Sequence, residues 1–412
     1  MSFIVSFFID LLKRIALYLN FSYWDDTVVL IQFIIFATLL DFLALNLNIY
    51  LLCGLLSSII LSMILVPLFH NLAKAKNLTD TPSARKSHSL QVPILGGVAV
   101  YLSAFIPILF ISIFFHDLAV SNTALVLGFG STSLIVIGVK DDVSGVKPVT
   151  KLIFQFCIAV FVILMLHIKI ESMNGLLGIL ELSKVSSIIL SVFIYVIFMN
   201  MLNLIDGIDG LASGLSLIAF TLFAFLAYKT SSFFILLICI SCIGGILPFM
   251  YFNMFSNKKI FLGDNGSLTL GFMLGFLSLY FLSPDNSEVT SVLGLNTPLV
   301  LMSLFSFPLV DTLRVFTIRV LRKRSPFSAD KNHIHHHLLR LRLSHRFATL
   351  LILVYTILIT SLSCLLLELN INLAFVVLLT VAVFCICLPT FLERKTNGSI
   401  HFKSTSWVYK LS

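Results

Sequence analysis

Long apolar runs, each close to the roughly 20 residues that a helix needs to cross a bilayer, recur along this chain. They fall at 27–45, 48–70, 93–115, 121–139, 151–168, 186–204, 211–228, 232–251, 263–282, 297–318, 347–367 and 371–391. In hydrocarbon every backbone polar group must find its partner inside the protein, which favours helices over irregular chain. The pattern therefore predicts an all-α polytopic membrane protein, a bundle of about 11–12 transmembrane helices. The first run is the least regular, because it holds Asp41 and is parted from the second only by Asn46 and Asn48. Residues 1–26 read as an amphipathic, interfacial lead-in, 27–392 as the bundle and 393–412 as a tail. Lys13 and Arg14 precede an apolar stretch, but Tyr23-Trp24-Asp25-Asp26 follows instead of a small-residue cleavage site, so a cleaved signal peptide is not expected.

Composition agrees. Hydrophobic residues make up 58% and charged residues 11%, against about 45–50% and about 25% in soluble domains. The seven cysteines lie inside apolar runs without metal-ligand spacing, and read as small apolar residues. The net charge of +8 is distributed by topology. If 72–92, 140–151, 252–262, 319–346 and both termini share one side, that side holds 24 of the 27 basic residues, counting Arg314 near the end of its span, and the other holds only Lys169, Lys184 and Lys229. The rich side is expected to be cytoplasmic. No nucleic-acid partner is implied.

The acids sort the same way. Asp80, Asp141, Asp142, Asp206, Asp209, Asp264, Asp311 and Asp330 all fall at or near the cytoplasmic ends of predicted helices. Acids beside a span are costly unless paired, hydrated or bound to a cation, so their convergence points to a cation-dependent site. Five stretches carry candidate chemistry. Asp80 to His88, with Arg85 and Lys86, offers cations for phosphate, and Gly96-Gly97 permits close helix approach; an ordinary basic loop explains it equally well. Lys140-Asp141-Asp142, followed by Lys147 and Lys151, pairs carboxylates able to hold Mg²⁺ or act as a base with lysines for a lipid phosphate. In Asn200-Met-Leu-Asn203-Leu-Ile-Asp206-Gly207-Ile-Asp209-Gly210 the polar residues recur at helical spacing, and the glycines suit irregular backbone lining a cavity. Phe261-Leu-Gly263-Asp264-Asn265-Gly266-Ser267 puts an acid at the head of a span, as a metal ligand or simply an N-cap. The loop 319–346 contains Ser325-Pro326-Phe327, Asp330 and four histidines in five residues, His333 and His335 to His337. These read as hydrogen-bond donors to a diphosphate, helped by Arg314, Arg319 and Arg322.

Taken together and in this order, the motifs resemble the polyprenyl-phosphate N-acetylhexosamine-1-phosphate transferases, over about 48–346. His333-Ile-His335-His336 after Ser325-Pro326-Phe327 resembles the undecaprenyl-phosphate N-acetylglucosamine-1-phosphate branch more than the phospho-MurNAc-pentapeptide branch. The resemblance implies a bacterial cytoplasmic-membrane enzyme, active at the cytoplasmic face. It would convert a UDP-N-acetylhexosamine and a polyprenyl phosphate to the polyprenyl diphosphate sugar and UMP, starting a cell-envelope glycan. It implies Mg²⁺, with Mn²⁺ as a substitute, held by Asp264. It carries catalytic roles to Asp141, Asp142, Asp206 and Asp209, with Asp141 the candidate for activating the lipid phosphate. Nucleotide and diphosphate contacts fall to Asn203, Phe261, His333, His335, His336 and Arg314, and lipid-phosphate contacts to Lys147, Lys151 and Arg85. A homodimer is plausible on the same ground. Two departures stand out: Asn265 replaces the usual small residue, and the run at 27–45 is additional.

Direct attack by the lipid phosphate and prior attack by an aspartate such as Asp141 both fit the sequence. The alternative from another class is a transporter or flippase for an anionic substrate. That would place polar residues at mid-membrane and break helices in corresponding halves, whereas here the acids gather at one surface.

Overall fold

The computed structural model describes residues 47–80, 91–113, 118–283, 289, 292–324 and 332–408, with side chains as far as Glu393. The lead-in 1–26, the run at 27–45, Arg85 and the stretch 325–331 lie outside the described residues. The chain divides into two compact units, Met1–Cys53 and Gly54–Ser412. Of the first, only the opening of one helix is described.

Thirteen helices account for nearly all of the described chain. In chain order they are α1 Leu47–Ala75, α2 Gly96–Ser112, α3 Leu118–Ser144, α4 Pro148–Leu166, α5 Lys184–Ile205, α6 Leu211–Lys229, α7 Phe233–Met254, α8 Gly263–Leu282, α9 Thr297–Leu304, α10 Ser306–Leu321, α11 Ile334–Arg340, α12 His345–Leu365 and α13 Ile371–Val408. Two short strands, β1 Thr79–Asp80 and β2 Val92–Pro93, pair antiparallel between α1 and α2. Nine of the helices are long and apolar enough to cross a membrane, and the pair α9–α10 makes a tenth if taken as one span. With the shorter apolar α2, every expected span from 48–70 onward finds a counterpart. The chain is a multi-pass membrane protein. It stays helical to Val408, past residue 392 where the apolar pattern ends.

One expected span is not a single rod. The run 297–318 breaks between α9 and α10, which meet at 68°. Pro308 sits three residues past the break. Its ring displaces the carbonyl of Leu304, four residues back, and it offers no N–H to bond it, so a straight helix cannot pass.

The centre of the bundle is α8. Every residue from Asn265 to Leu279 is buried, and α8 packs against α2, α3, α5 and α6. Lipid is as apolar as the side chains, so close backbone approach, not hydrophobic exclusion from water, holds such helices together. A Cβ on Gly97 of α2 would lie 2.2 Å from the backbone of Gly266, and one on Gly271 would lie 2.6 Å from the carbonyl of Phe198. Large apolar residues such as Phe129, Phe193, Phe225 and Phe384 are exposed on outer helices, as expected of a surface solvated by acyl chains.

The two ends of the bundle differ. At one end Asn296 donates to the carbonyls of Leu366, Leu367 and Leu369, and Asn372 bonds Gly175 and Leu177, closing turns over a small apolar cluster that includes Leu176, Leu299 and Ile371. At the other end the turns α3–α4, α5–α6 and α7–α8 bring acids together.

Gly97→Ala is expected to destabilise the bundle by about 1–3 kcal/mol, because backbone atoms cannot yield to the new methyl group. The melting temperature in detergent checks this, with Leu125→Ala on the exposed face of α3 as the unaffected control. An unchanged melting temperature for Gly97→Ala would contradict the packing described.

Candidate active site

A cavity of about 440 Å³ opens among the helix ends, and six aspartates line it: Asp80, Asp141, Asp142, Asp206, Asp209 and Asp264. Each reaches it for a local reason. Asp141 and Asp142 end α3, Asp206 and Asp209 flank the break between α5 and α6, and Asp264 lies in the first turn of α8. Asp80 is carried by β1.

Lys151, in the first turn of α4, joins three of these elements. Its ammonium lies 2.8 Å from Asp141 Oδ2, donates to Asp264 Oδ2, and reaches Asn203 Oδ1 at 3.3 Å. The second oxygen of Asp264 accepts from Asn203 Nδ2 at 2.8 Å. Asp141 Oδ1 accepts from the Val146 amide at 2.7 Å, closing the turn between α3 and α4. Both oxygens of Asp141 are therefore engaged.

Asp142 is occupied differently. Its carboxylate accepts from the amides of Asp264 at 2.9 Å and Asn265 at 3.2 Å, and from Asn265 Nδ2 at 2.6 Å. It caps α8 from a neighbouring helix, where a negative charge meets the positive end of the helix dipole. Asp264 is not the cap of its own helix. Residue 263 has φ +74°, and a Cβ there would meet Asp142 Oδ2 at 2.8 Å and the Ile94 carbonyl at 2.7 Å, so glycine is required.

In the α5–α6 turn the two acids part company. Asp209 Oδ2 pairs with Lys259 Nζ at 2.7 Å and lies 3.3 Å from His345 Nδ1. Burial alone would raise its carboxyl, but His345 and Lys259 bring it below the usual carboxylate range. Asp206 has no cation on its carboxylate among the described residues. Burial pushes its carboxyl well up, and the charges of Asp264, Asp142 and Asp209 push it further. Asn253 fixes the turn, accepting from the Gly210 amide at 2.7 Å and donating to the Ile260 carbonyl at 2.9 Å. Lys259 also sits 5.2 Å over the Phe261 ring.

The histidine stretch divides as well. His336 lines the cavity. His335 is buried with its ring against Gly207, where a Cβ would lie 2.5 Å from Nε2. Burial and the neighbouring histidines hold His335 well below the ordinary imidazole range, hence neutral, and its Nδ1 has no partner among the described residues. His333 turns away to Asp311, with Nδ1 at 2.9 Å from Oδ2. Asp311 is fully buried and also accepts from Arg314 at 2.8 Å and from the Ile334 amide at 3.2 Å.

The cavity thus brings together Asp141, Asp142, Asp206, Asp209, Asp264, Phe261 and His336, with Lys151 and Asn203 bonded to its acids. Arg314 and His333 stand behind it on Asp311, and Lys147 is exposed at the cap of α4. Lys259 and His345 belong to no motif and the sequence does not single them out; their pairing with Asp209 emerges only from the fold. Among the described residues no three His, Cys, Asp or Glu side chains already surround one point as metal ligands. The donor set still suits a hard cation. Six carboxylates face two ammonium groups, from Lys151 and Lys259, and such an ion keeps most of its waters and takes one or two carboxylates.

The chain is similar in sequence to known proteins. Residues 124–282 match glycosyl transferase family 4. The probable undecaprenyl-phosphate N-acetylglucosaminyl 1-phosphate transferase of Bacillus subtilis is 28% identical over 296 residues, 72% of this chain and 79% of that protein. The undecaprenyl-phosphate alpha-N-acetylglucosaminyl 1-phosphate transferase of Escherichia coli K12 is 25% identical over 297 residues, 71% and 77% of the two chains. The decaprenyl-phosphate N-acetylglucosaminephosphotransferase of Mycolicibacterium smegmatis is 40% identical over a shorter stretch of 113 residues, 26% and 28% of the two chains.

Two stability predictions follow from the pairing. Asp311→Ala leaves Arg314 and His333 without their buried acid and should cost about 3–5 kcal/mol in thermal unfolding. Asp206→Asn should do the opposite. A carboxyl raised in the folded state lowers stability as pH climbs from the unfolded value of about 3.9 through the folded one. The Asn variant should therefore melt higher than wild type at pH 7, by a few degrees in order of magnitude, and the gain should vanish near pH 4. A lower melting temperature at pH 7 would contradict the account of Asp206.

Proposed function

We propose that this chain is a glycosyl transferase family 4 enzyme that transfers N-acetylglucosamine-1-phosphate from UDP-N-acetylglucosamine to undecaprenyl phosphate, giving the undecaprenyl diphosphate sugar and UMP. The observation that carries the proposal is the acid-lined cavity at the bundle's end, bonded to Lys151 and bordered by His336 and Phe261. An anionic diphosphate would be repelled from six carboxylates unless cations mediate. Mg²⁺, or Mn²⁺ in its place, supplies that charge and polarises the phosphoryl oxygens. Asp264 would hold it, with Asp141 beside it.

The chain's own groups then have distinct tasks. Lys151 neutralises Asp141 and Asp264 and offers positive charge for the lipid phosphate. Phe261 gives the uracil a ring to stack on, with Lys259 over it. His336, on the cavity wall, donates to the diphosphate, and His335, expected from the sequence to do the same, is instead buried behind it against Gly207. An oxygen of the lipid phosphate attacks the β-phosphorus, the bond from that phosphorus to the bridging oxygen breaks, and UMP leaves with that oxygen. Direct attack is favoured over an aspartyl intermediate, because both oxygens of Asp141 are already held, by Lys151 and the Val146 amide. Little covalent work falls to the protein in such a transfer; positioning and charge stabilisation do most of it. The basic end of the bundle faces the cytoplasm, where the nucleotide sugar is, and the polyprenyl tail stays in the bacterial cytoplasmic membrane.

The test is transfer of labelled sugar phosphate from UDP-N-acetylglucosamine to undecaprenyl phosphate by the purified chain. Label in the lipid should require Mg²⁺ or Mn²⁺, and Asp264→Asn should lose at least about 10³-fold in rate while eluting as wild type. Metal-independent transfer, or an active Asp264→Asn variant, would overturn the assignment of Asp264. No transfer from folded wild-type protein would overturn the reaction.

A further inference from the structure

The histidine helix α11 spans only seven residues, Ile334–Arg340. A helix this short is not stable alone, because nucleation costs more than two turns return. It has no side-chain hydrogen bond at its N-cap either. Something outside α11 must fix where His335 and His336 stand. Two acids do so from opposite ends. Asp311 of α10 holds the start, through His333 and the Ile334 amide. The end is held from the far C-terminal helix. Glu393 of α13 takes His337 Nδ1 on one oxygen and Arg340 on the other at 3.3 Å, while His337 Nε2 lies 3.1 Å from the Asn332 carbonyl.

Geometry gives this contact a direction. His337 and Arg340 are three residues apart and share one face of α11. His335 lies about 200° round the helix from His337, on nearly the opposite face, where it rests on Gly207 beside Asp206. Glu393 thus presses α11 from behind, with the cavity in front. A carboxylate at the end of a span is costly unless it is paired or functional, and Glu393 is 9% exposed. Its partners on α11 account for its retention there.

We propose that Glu393 is a positioning residue for the transfer. Through His337 and Arg340 it sets the register of α11, and so the seat of His335 on Gly207 and the reach of His336 to the diphosphate of the sugar nucleotide. The inference rests on the proposed reaction, and concerns the donor substrate only; the lipid phosphate is assigned to Lys151, whose bonds are to Asp141, Asp264 and Asn203 and not to α11.

The experiment is steady-state kinetics of the purified full chain, wild type against Glu393→Gln and Glu393→Asp, with UDP-N-acetylglucosamine and undecaprenyl phosphate varied in turn. For Glu393→Gln the KM for the nucleotide sugar should rise roughly tenfold or more, with the lipid KM within about threefold of wild type, a split that general unfolding would not produce. Glu393→Asp should recover part of the loss. His337→Asn placed in the Glu393→Gln background should add less than about twofold, since the two act as one unit. If Glu393→Gln elutes as aggregate, His337→Asn alone is read in its place, with the same expected split. Equal losses for both substrates, or a nucleotide KM within twofold of wild type, would overturn the inference. No transfer by wild type at all would overturn the reaction itself, and is seen before any variant is compared.

Discussion

The arrangement at the acidic end depends on one ammonium group. Lys151 bridges α4 to Asp141 of α3 and Asp264 of α8, and touches Asn203 of α5. Without it, two carboxylates would face each other in a largely protein-lined space, and the helix ends that carry them would be driven apart. Removing one member of a buried charge cluster leaves the others uncompensated, at a cost of several kcal/mol. The cation is thus both a structural tie and a chemical group. The same positive charge that lets the acids converge is available to a phosphate entering among them.

Convergence also needs helices that can approach closely. The pairing of Gly97 with Gly266 brings α2 against the head of α8. Gly96 and Gly97 donate their amides to the Phe261 and Leu262 carbonyls at 3.0 and 2.9 Å, fastening the segment that carries Phe261. Asp142 then caps α8 from α3. The glycine contacts join backbone to backbone and Asp142 joins a side chain to a helix end, so the cavity wall is built by the same bonds that fasten the helices together. Asp206, with no cation on its carboxylate among the described residues, is the exception, and burial with the nearby acids holds its carboxyl well up.

Much of this was legible in the sequence. Apolar runs of spanning length located the described membrane-spanning helices, though not the short α11 inside the stretch read as a loop, and the bias of aspartates to one side of the runs identified the end that holds the cavity. Even the break in the α9–α10 span had its signal in Pro308, hidden by the continuous hydrophobicity around it. What periodicity could not supply was the partner of each charge. The adjacent acids Asp141 and Asp142 look equivalent in sequence, yet neighbouring positions on a helix point about 100° apart. One reaches Lys151 and the other the amides of α8. His333 and Arg314 pass to Asp311 because a buried acid on the preceding helix needs them more than the cavity does. Glu393 pairs with a helix more than fifty residues away in sequence, so nothing local could reveal it.

In the proposed reaction Lys151 and the acids it bridges form the transfer site itself, not only a helix tie. The most direct measurement is the rate of sugar-phosphate transfer by Lys151→Gln, compared with its melting temperature and with Lys151→Arg. Lys151→Gln should lose at least about 10²-fold in rate, in protein that still elutes as wild type, with partial recovery in Lys151→Arg. Transfer at the wild-type rate by a folded Lys151→Gln variant would contradict it.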